Sequence, residues 1–377
     1  MVRLINTHDL SLHEFEGRDV PDYAILSHRW EADEISLQEL QGNLNPHKAG
    51  WQKVRQFCQY AERKGHQYVW VDTCCIDKKS SAELSEAINS MFKWYHRAEV
   101  CYAYLCDVPA KGNLTVSEWM KSFRGSEWFT RGWTLQELLA PDELLFLSRD
   151  WEQEIGTHRS LRQEVTAATG ISSNVVGYHL ILSAGFSSGK RSVDERECSV
   201  AQIMSWASHR RTTRVEDMAY SLMGLFKINM PLLYGEGRNA FMRLQLEIMS
   251  KYNDYSLFAW ETFRPNNHSF DNQALNRSLD LPDRYPWGGL LAPTVQCFKG
   301  CNSFLPRPHG NDRPISTSMT NRGLQLEGWF RTYREHGTGD ICLLPLKCIR
   351  DNNYSHEVGI LLKVFHSTAA RRLVGRA

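Results

Sequence analysis

Two short polar stretches carry most of the side chains able to do chemistry. One is Ser27, His28, Arg29 and Trp30; the other is Asp72 to Lys79, DTCCIDKK, which gathers two acids, two cysteines and two lysines. The guanidinium fork of Arg29 matches a phosphate, with an ion pair to Glu31 or Asp33 as its structural alternative. Ser27 and His28 beside it suit a polar pocket, while a histidine there also serves as a hydrogen-bonded structural group. Asp72 and Asp77 suit ribose hydroxyls, and Asp77 equally suits a turn or cap. Trp30 and, further on, Trp133 can stack on a planar base at a pocket mouth or fill the core. Cys74 and Cys75 are small and apolar enough for burial; as nucleophiles they need a base supplied by the fold, such as His28. Ser80 and Glu83 stand three apart, the spacing of a capping box, so Glu83 has a structural role available as well as a chemical one, and Glu86 lies one turn on.

The elements that position these residues read as strands alternating with helices. The run at Tyr23 to Leu26 suits a first central strand, with Ser27 to Trp30 at its exit. Tyr68 to Val71 suits a second, with Asp72 to Lys79 at its exit. Apolar positions Val54, Phe57, Cys58 and Ala61 predict a helix over residues 51 to 64, and Leu84, Ala87, Ile88, Met91 and Tyr95 predict another from Ser81 to near His96. Val100 to Leu105 and Leu144 to Leu147 supply further strands. Such alternation predicts an α/β fold with a doubly wound, mostly parallel sheet, and ligands in these sheets meet the carboxyl ends of the strands.

Beyond Trp151 the texture turns helical, at Arg159 to Thr169, Cys198 to His209, Val215 to Phe226 and Arg238 to Lys251, with a mobile loop expected at Ser183 to Ser192. A polar stretch after Trp260 reads as a linker, and the runs Gly323 to Trp329, Ile341 to Cys348 and Val358 to Phe365 fit a small β-rich domain. The expected divisions are an α/β domain over residues 1–150, a helical accessory region over 151–260 and a β-rich domain over 261–377. The basic end, Arg371 to Arg376, reads as a frayed tail.

The 377 residues hold 44 Lys plus Arg against 43 Asp plus Glu, a net charge of +1, which gives no field favouring nucleic acid or an anionic membrane. No apolar run is long enough for a membrane span, and the first residues lack the centre of a signal peptide. Ten cysteines are then expected as reduced thiols. Cys297, Cys301, Cys342 and Cys348 have spacings that match a zinc ribbon poorly, so no metal is expected.

Three blocks, YAILSHRWEADEISLQEL, YVWVDTCCIDKKSSAELSEAINSMFKWYHRAEVCYAYL and SEWFTRGWTLQELLAP, resemble the signature blocks of the fungal heterokaryon-incompatibility (HET) domain. The later stretch MSWASHRRTTRVEDMAYSLMGLFKINMPLLYGEGRNAFMRLQLEI resembles the usual continuation. The resemblance implies a cytoplasmic protein of fungal non-self recognition whose HET domain triggers programmed cell death, and self-association. HET domains are in turn distantly similar to Toll/interleukin-1 receptor (TIR) domains, of flavodoxin-like fold. FTRGWTLQEL resembles a TIR pattern, with Thr134 where that pattern has cysteine. Some TIR domains hydrolyse NAD at the nicotinamide–ribose bond with one glutamate, and the resemblance points to Glu83 as its positional match. NAD is then a substrate rather than a bound cofactor, with Ser27, His28, Arg29, Trp30, Asp72, Cys74, Asp77 and Trp133 as the nucleotide-binding set. The alternative is a module without chemistry that recruits partners and self-assembles.

Overall fold

A computed structural model describes residues 1–182, 195–260, 290–306, 316–320, 323–327, 331–335, 339–346, 348–350, 359–367 and 370–376. The chain forms two compact units. One comprises Met1–Leu180 with Arg210–Glu236; the other takes the described residues of Glu197–His209 and of Gly237–Ala377. The stretch expected as one helical region, 151–260, is thus shared between them.

The first unit is built on a seven-stranded sheet: β1 (Val2–Asn6), β2 (Leu12–Phe15), β3 (Ala24–His28), β4 (Tyr68–Trp70), β5 (Val100–Tyr104), β6 (Leu144–Leu147) and β7 (Glu154–Thr157), in spatial order β2-β1-β4-β3-β5-β6-β7. The middle four are parallel, with Ala24 opposite both Val69 and Val100, and Cys101 opposite Leu144. The flanking strands β1, β2 and β7 are antiparallel. Every residue of β3 is buried, as a central parallel strand covered on both faces requires. That strand extends two residues past the apolar run, so Ser27 and His28 lie inside it rather than at its exit. The sequence reading missed β1, β2 and β7.

Helices α1 (Leu37–Gly42) and α2 (Ala49–Arg63) join β3 to β4, and α3 (Ser81–Arg97) joins β4 to β5. Because the first crossover runs outward and the second returns across β3, right-handed connections put α2 and α3 on opposite faces. Ring contacts agree. Phe57 of α2 meets Tyr102 at 6.1 Å and Trp151 at 6.0 Å, whereas Tyr95 of α3 meets Trp70 at 5.8 Å. Between β5 and β6 come α4 (Val116–Arg124), a tight turn at Glu127–Thr130 and α5 (Thr134–Leu139). All six residues of α5 are buried, Gln136 and Glu137 included. Of the helix expected over Val215 to Phe226, only Asp217–Tyr220 is α-helical.

In the second unit, helix Val200–Ala207 is closed by a capping box between Ser199 and Gln202, and Gln245 of helix Asn239–Lys251 exchanges hydrogen bonds with the backbone of Ala292 in both directions. Strands Arg331–Glu335, Gly339–Pro345, Gly359–Ser367 and Ala370–Arg376 form an antiparallel sheet, so the end read as a frayed tail is paired. The loop at 183–192 lies outside the described residues, and so does most of the linker after Trp260. Among the described residues no three His, Cys, Asp or Glu gather as a metal site, and no helix is long and apolar enough to cross a membrane.

Candidate functional site

In the order β4-β3-β5-β6 the chain runs to β4 from β3 and then back to β5, so the connections diverge at β3, the place where α/β sheets as a class take ligands at the carboxyl ends of their strands. Three groups of side chains meet around that end. The first is buried. Ser27 Oγ donates to Glu137 Oε2 at 2.5 Å and accepts from Trp128 Nε1 at 2.8 Å. Burial raises the Glu137 carboxyl to about 8, against the opposing pull of the Ser27 hydroxyl, so it holds its proton at neutral pH. Asp72 raises it further and Arg131 lowers it.

The second group sits at the mouth. His28 is buried, and burial, with Lys53, Lys78 and Arg131 adding like charge, holds its imidazole neutral, well below the usual range. Its Nε2 lies 3.7 Å from Glu34 Oε1 and 3.8 Å from Asp72 Oδ1, and neither ring nitrogen has a hydrogen-bond partner among the described residues. Glu34 Oε2, Asp72 Oδ1 and Arg29 Nε are likewise buried without one. Glu34 is ion-paired with the buried Lys53, which also reaches Glu31 at 3.0 Å. Asp72 Oδ2 accepts from Trp30 Nε1 at 2.6 Å, and burial raises this carboxyl as well, while Lys78 and the Trp30 bond lower it.

The third group holds the far wall. Arg29 pairs with Glu127, whose backbone N–H donates to Asp107 Oδ2 at 2.7 Å. Arg210 is buried; it donates to Arg131 O at 2.8 Å and to Thr134 Oγ1 at 2.9 Å, the latter one helical turn before Glu137. Arg211 brackets the same turn, its N–H bonded to Thr130 O and its carbonyl to Gly132 N. The segment after Arg210 therefore belongs to the wall that carries Glu137.

The structure brings Ser27, His28, Trp30 and Asp72 together and gives the other expected residues different partners. Glu83 receives Arg3 Nη1 at 2.7 Å, Arg3 Nη2 at 3.3 Å and the Asp77 N–H at 2.7 Å. Its N–H still bonds Ser80 Oγ, yet its carboxylate does not return to the cap backbone, so half of the expected capping box is replaced by the Arg3 bridge. The Arg3 hydrogen bonds hold Glu83 ionised below the usual range. Arg3 is on β1, beyond β4, whereas the partner of Arg29 lies on the β5 side, so these two expected site residues are served by opposite flanks of the sheet. Asp77 accepts from Gln38 Nε2 and the Lys79 N–H, the turn role open to it in the sequence. Cys74 is buried, its thiol pushed up by its hydrogen bond with Cys75 and by burial, which leaves little thiolate. Trp133 lies beside Asp217 and helps hold that carboxyl down against the raising effect of burial.

Glu34, Lys53, Glu137 and Arg210 were not anticipated. For Glu137 a signal existed: WTLQELL puts a carboxylate among Leu135, Leu138 and Leu139 in a segment too apolar to own a solvated face, and a glutamate buried there is rare unless paired.

Residues 23–118 match the family model described as Heterokaryon incompatibility protein (HET), and residues 239–350 match a domain of unknown function, DUF8212. The chain is 39% identical over 272 residues to the Vegetative incompatibility protein HET-E-1 of Podospora anserina, an alignment covering 71% of this chain and 19% of that relative. No solved structure matches. Residues 23–118 are therefore similar to the heterokaryon incompatibility (HET) domain, and the alignment spans only 19% of the length of the relative it matches.

Proposed function

We propose that this chain acts in fungal non-self recognition by binding a nicotinamide dinucleotide at the carboxyl end of β3 and hydrolysing its nicotinamide–ribose bond, with Glu137 as the reacting carboxylate. One observation carries the reading: a buried, proton-holding Glu137 stands beside a mouth whose His28, Glu34 and Asp72 keep polar atoms buried and unbonded among the described residues. Such atoms cost free energy unless something pairs them, and their place is where α/β sheets take ligands. The parallel order, second-first-third-fourth, is also that of flavodoxin-like folds, in line with a distant TIR kinship.

In the reaction the bond between the nicotinamide nitrogen and C1 of the ribose breaks, and its electron pair leaves with nicotinamide, which becomes neutral. Water adds to C1 and gives up a proton, yielding ADP-ribose. Positive charge accumulates on the ribose as the bond opens, and an ionised carboxylate beside it lowers the barrier. Glu137 is mostly protonated in the free protein, but the cationic nicotinamide ring favours its ionised form, so binding the substrate prepares the group. Glu83 is a weaker candidate because Arg3 already neutralises it.

NAD consumption by the full chain tests this. Glu137→Gln is expected to lower turnover by at least about a hundredfold, the scale of losing one electrostatic stabiliser, while Glu83→Gln retains most of it. Since the carboxylate form accumulates above about 8, kcat/KM rises with pH through that value, and kcat, which reports the bound state, rises at lower pH. Equal turnover by wild type and Glu137→Gln rejects the assignment. A module that works by recruitment is the second reading, favoured by the exposed apolar side chains Val215 and Leu233 on Arg210–Glu236. It predicts cell death undiminished by Glu137→Gln and abolished by Leu233→Asp.

A further inference from the structure

Among the described residues Trp30 is one of few large apolar side chains left in the open, 44% exposed, yet it is not loose. Its Nε1–H is tied to Asp72 Oδ2 at 2.6 Å, which fixes the ring plane at the lip of the site. The Lys78 ammonium lies over that ring, 3.6 Å from the centroid. Aromatic faces attract cations through their quadrupole, and the attraction grows where a carboxylate adds negative charge. Asp72 supplies that charge, and its second oxygen, 3.8 Å from His28 Nε2, has no hydrogen-bond partner among the described residues.

We propose that the Trp30 face beneath Lys78 is a subsite for a planar aromatic cation, and that Lys78 is its internal occupant, displaced when such a ring arrives. The inference rests on the nicotinamide-dinucleotide reading and deepens it. The oxidised nicotinamide ring is flat and positively charged, so it can take both the area of the indole and the electrostatic place of the ammonium. A reduced dihydropyridine or free nicotinamide is neutral and loses the second attraction. Lys78, once displaced, is a flexible cation beside the same ligand, placed to meet its phosphates. Trp30 and Lys78 thereby select the oxidised dinucleotide over the reduced one.

The probe is 1-methylnicotinamide, a pyridinium without ribose or phosphate, titrated against the full chain by calorimetry or ligand-observed NMR. Neutral nicotinamide and tetramethylammonium are the controls. Against Lys78→Ala the pyridinium is expected to bind severalfold more tightly than against wild type, and about tenfold more tightly than neutral nicotinamide. Trp30→Ala abolishes the binding and Trp30→Phe restores part of it, which separates loss of the ring from loss of the fold. Equal affinities for charged and neutral rings, binding unchanged in Trp30→Ala, tetramethylammonium matching the pyridinium, or no binding to Lys78→Ala each overturn the subsite. NAD cleavage is scored separately. Cleavage with no pyridinium binding sinks the subsite alone; pyridinium binding with no cleavage sinks the hydrolase reading alone.

Discussion

Keeping a proton on Glu137 ties the stability of the first unit to pH. The folded carboxyl titrates near 8 and the unfolded one near its ordinary value of 4.5. Between those values the folded state binds the extra proton, so stability is fullest below about 4.5 and is lost as pH rises through about 8. Asp72 acts in the same direction, so the clean quantity is the difference between variants. Thermal melts of wild type are expected to fall from pH 5 to pH 9, and those of Glu137→Gln to fall less, by an amount on the order of 3–5 kcal/mol at the alkaline end. Parallel curves would show that Glu137 is not the proton-holding group. What the sequence reveals at this scale is which residues sit at a strand end, not what each bonds. Ser27, His28, Trp30 and Asp72 converge because β3 and β4 are parallel neighbours, a consequence of alternation that can be read in advance. Glu83 could not be read so: its partner Arg3 lies 80 positions away on an unpredicted strand.

At the scale of elements, α5 is short and sits beneath other parts of the unit. Its Gln136 and the Phe92 side chain of α3 press on Gly224, where a Cβ would come within 2.9 Å of Gln136 Oε1 and closer still to Phe92 Cβ. Both neighbours are held in packed helices, so neither can yield cheaply. Gly224→Ala is expected to cost about 1–3 kcal/mol, read from the urea midpoint, and to weaken the site because α5 carries Glu137. An unchanged midpoint would mean that the segment after Arg210 is loosely laid on the unit. Central strands and long helices were legible because each has one dominant periodicity, as in α3 with Ala87, Ile88, Met91 and Tyr95 buried. Strand β1 was not: VRLIN is short and buried at four of its five positions, and nothing in its pattern says that it pairs antiparallel with β4. The stretch Val215 to Phe226 misled for the opposite reason, since Ala219, Tyr220, Leu222, Met223, Leu225 and Phe226 are buried by turns that mimic helical spacing.

At the scale of the molecule, the folded unit is larger than the domain match. Residues 23–118 contain β3, β4 and β5, but β6, α5 and the bracket at Arg210 and Arg211 lie outside them. A fragment ending at Leu180 keeps all seven strands and loses that bracket, the Gly224 contact and the hydrogen bonds of Arg210. It is expected to aggregate or melt far below the full chain by circular dichroism and size exclusion. A fragment that melts like the full chain would make residues 210–236 an accessory. Pairing between such distant segments is invisible to local pattern, which is why the helical stretch read as a region of its own.

That discontinuity also sets a clock. As the chain leaves the ribosome, the sheet's last strand emerges at Thr157, but the wall bearing Glu137 cannot close until Glu236 has followed. At about 5–20 residues per second the interval from Leu180 to Glu236 is roughly 3–11 s, during which the nascent chain carries its strands without a finished site.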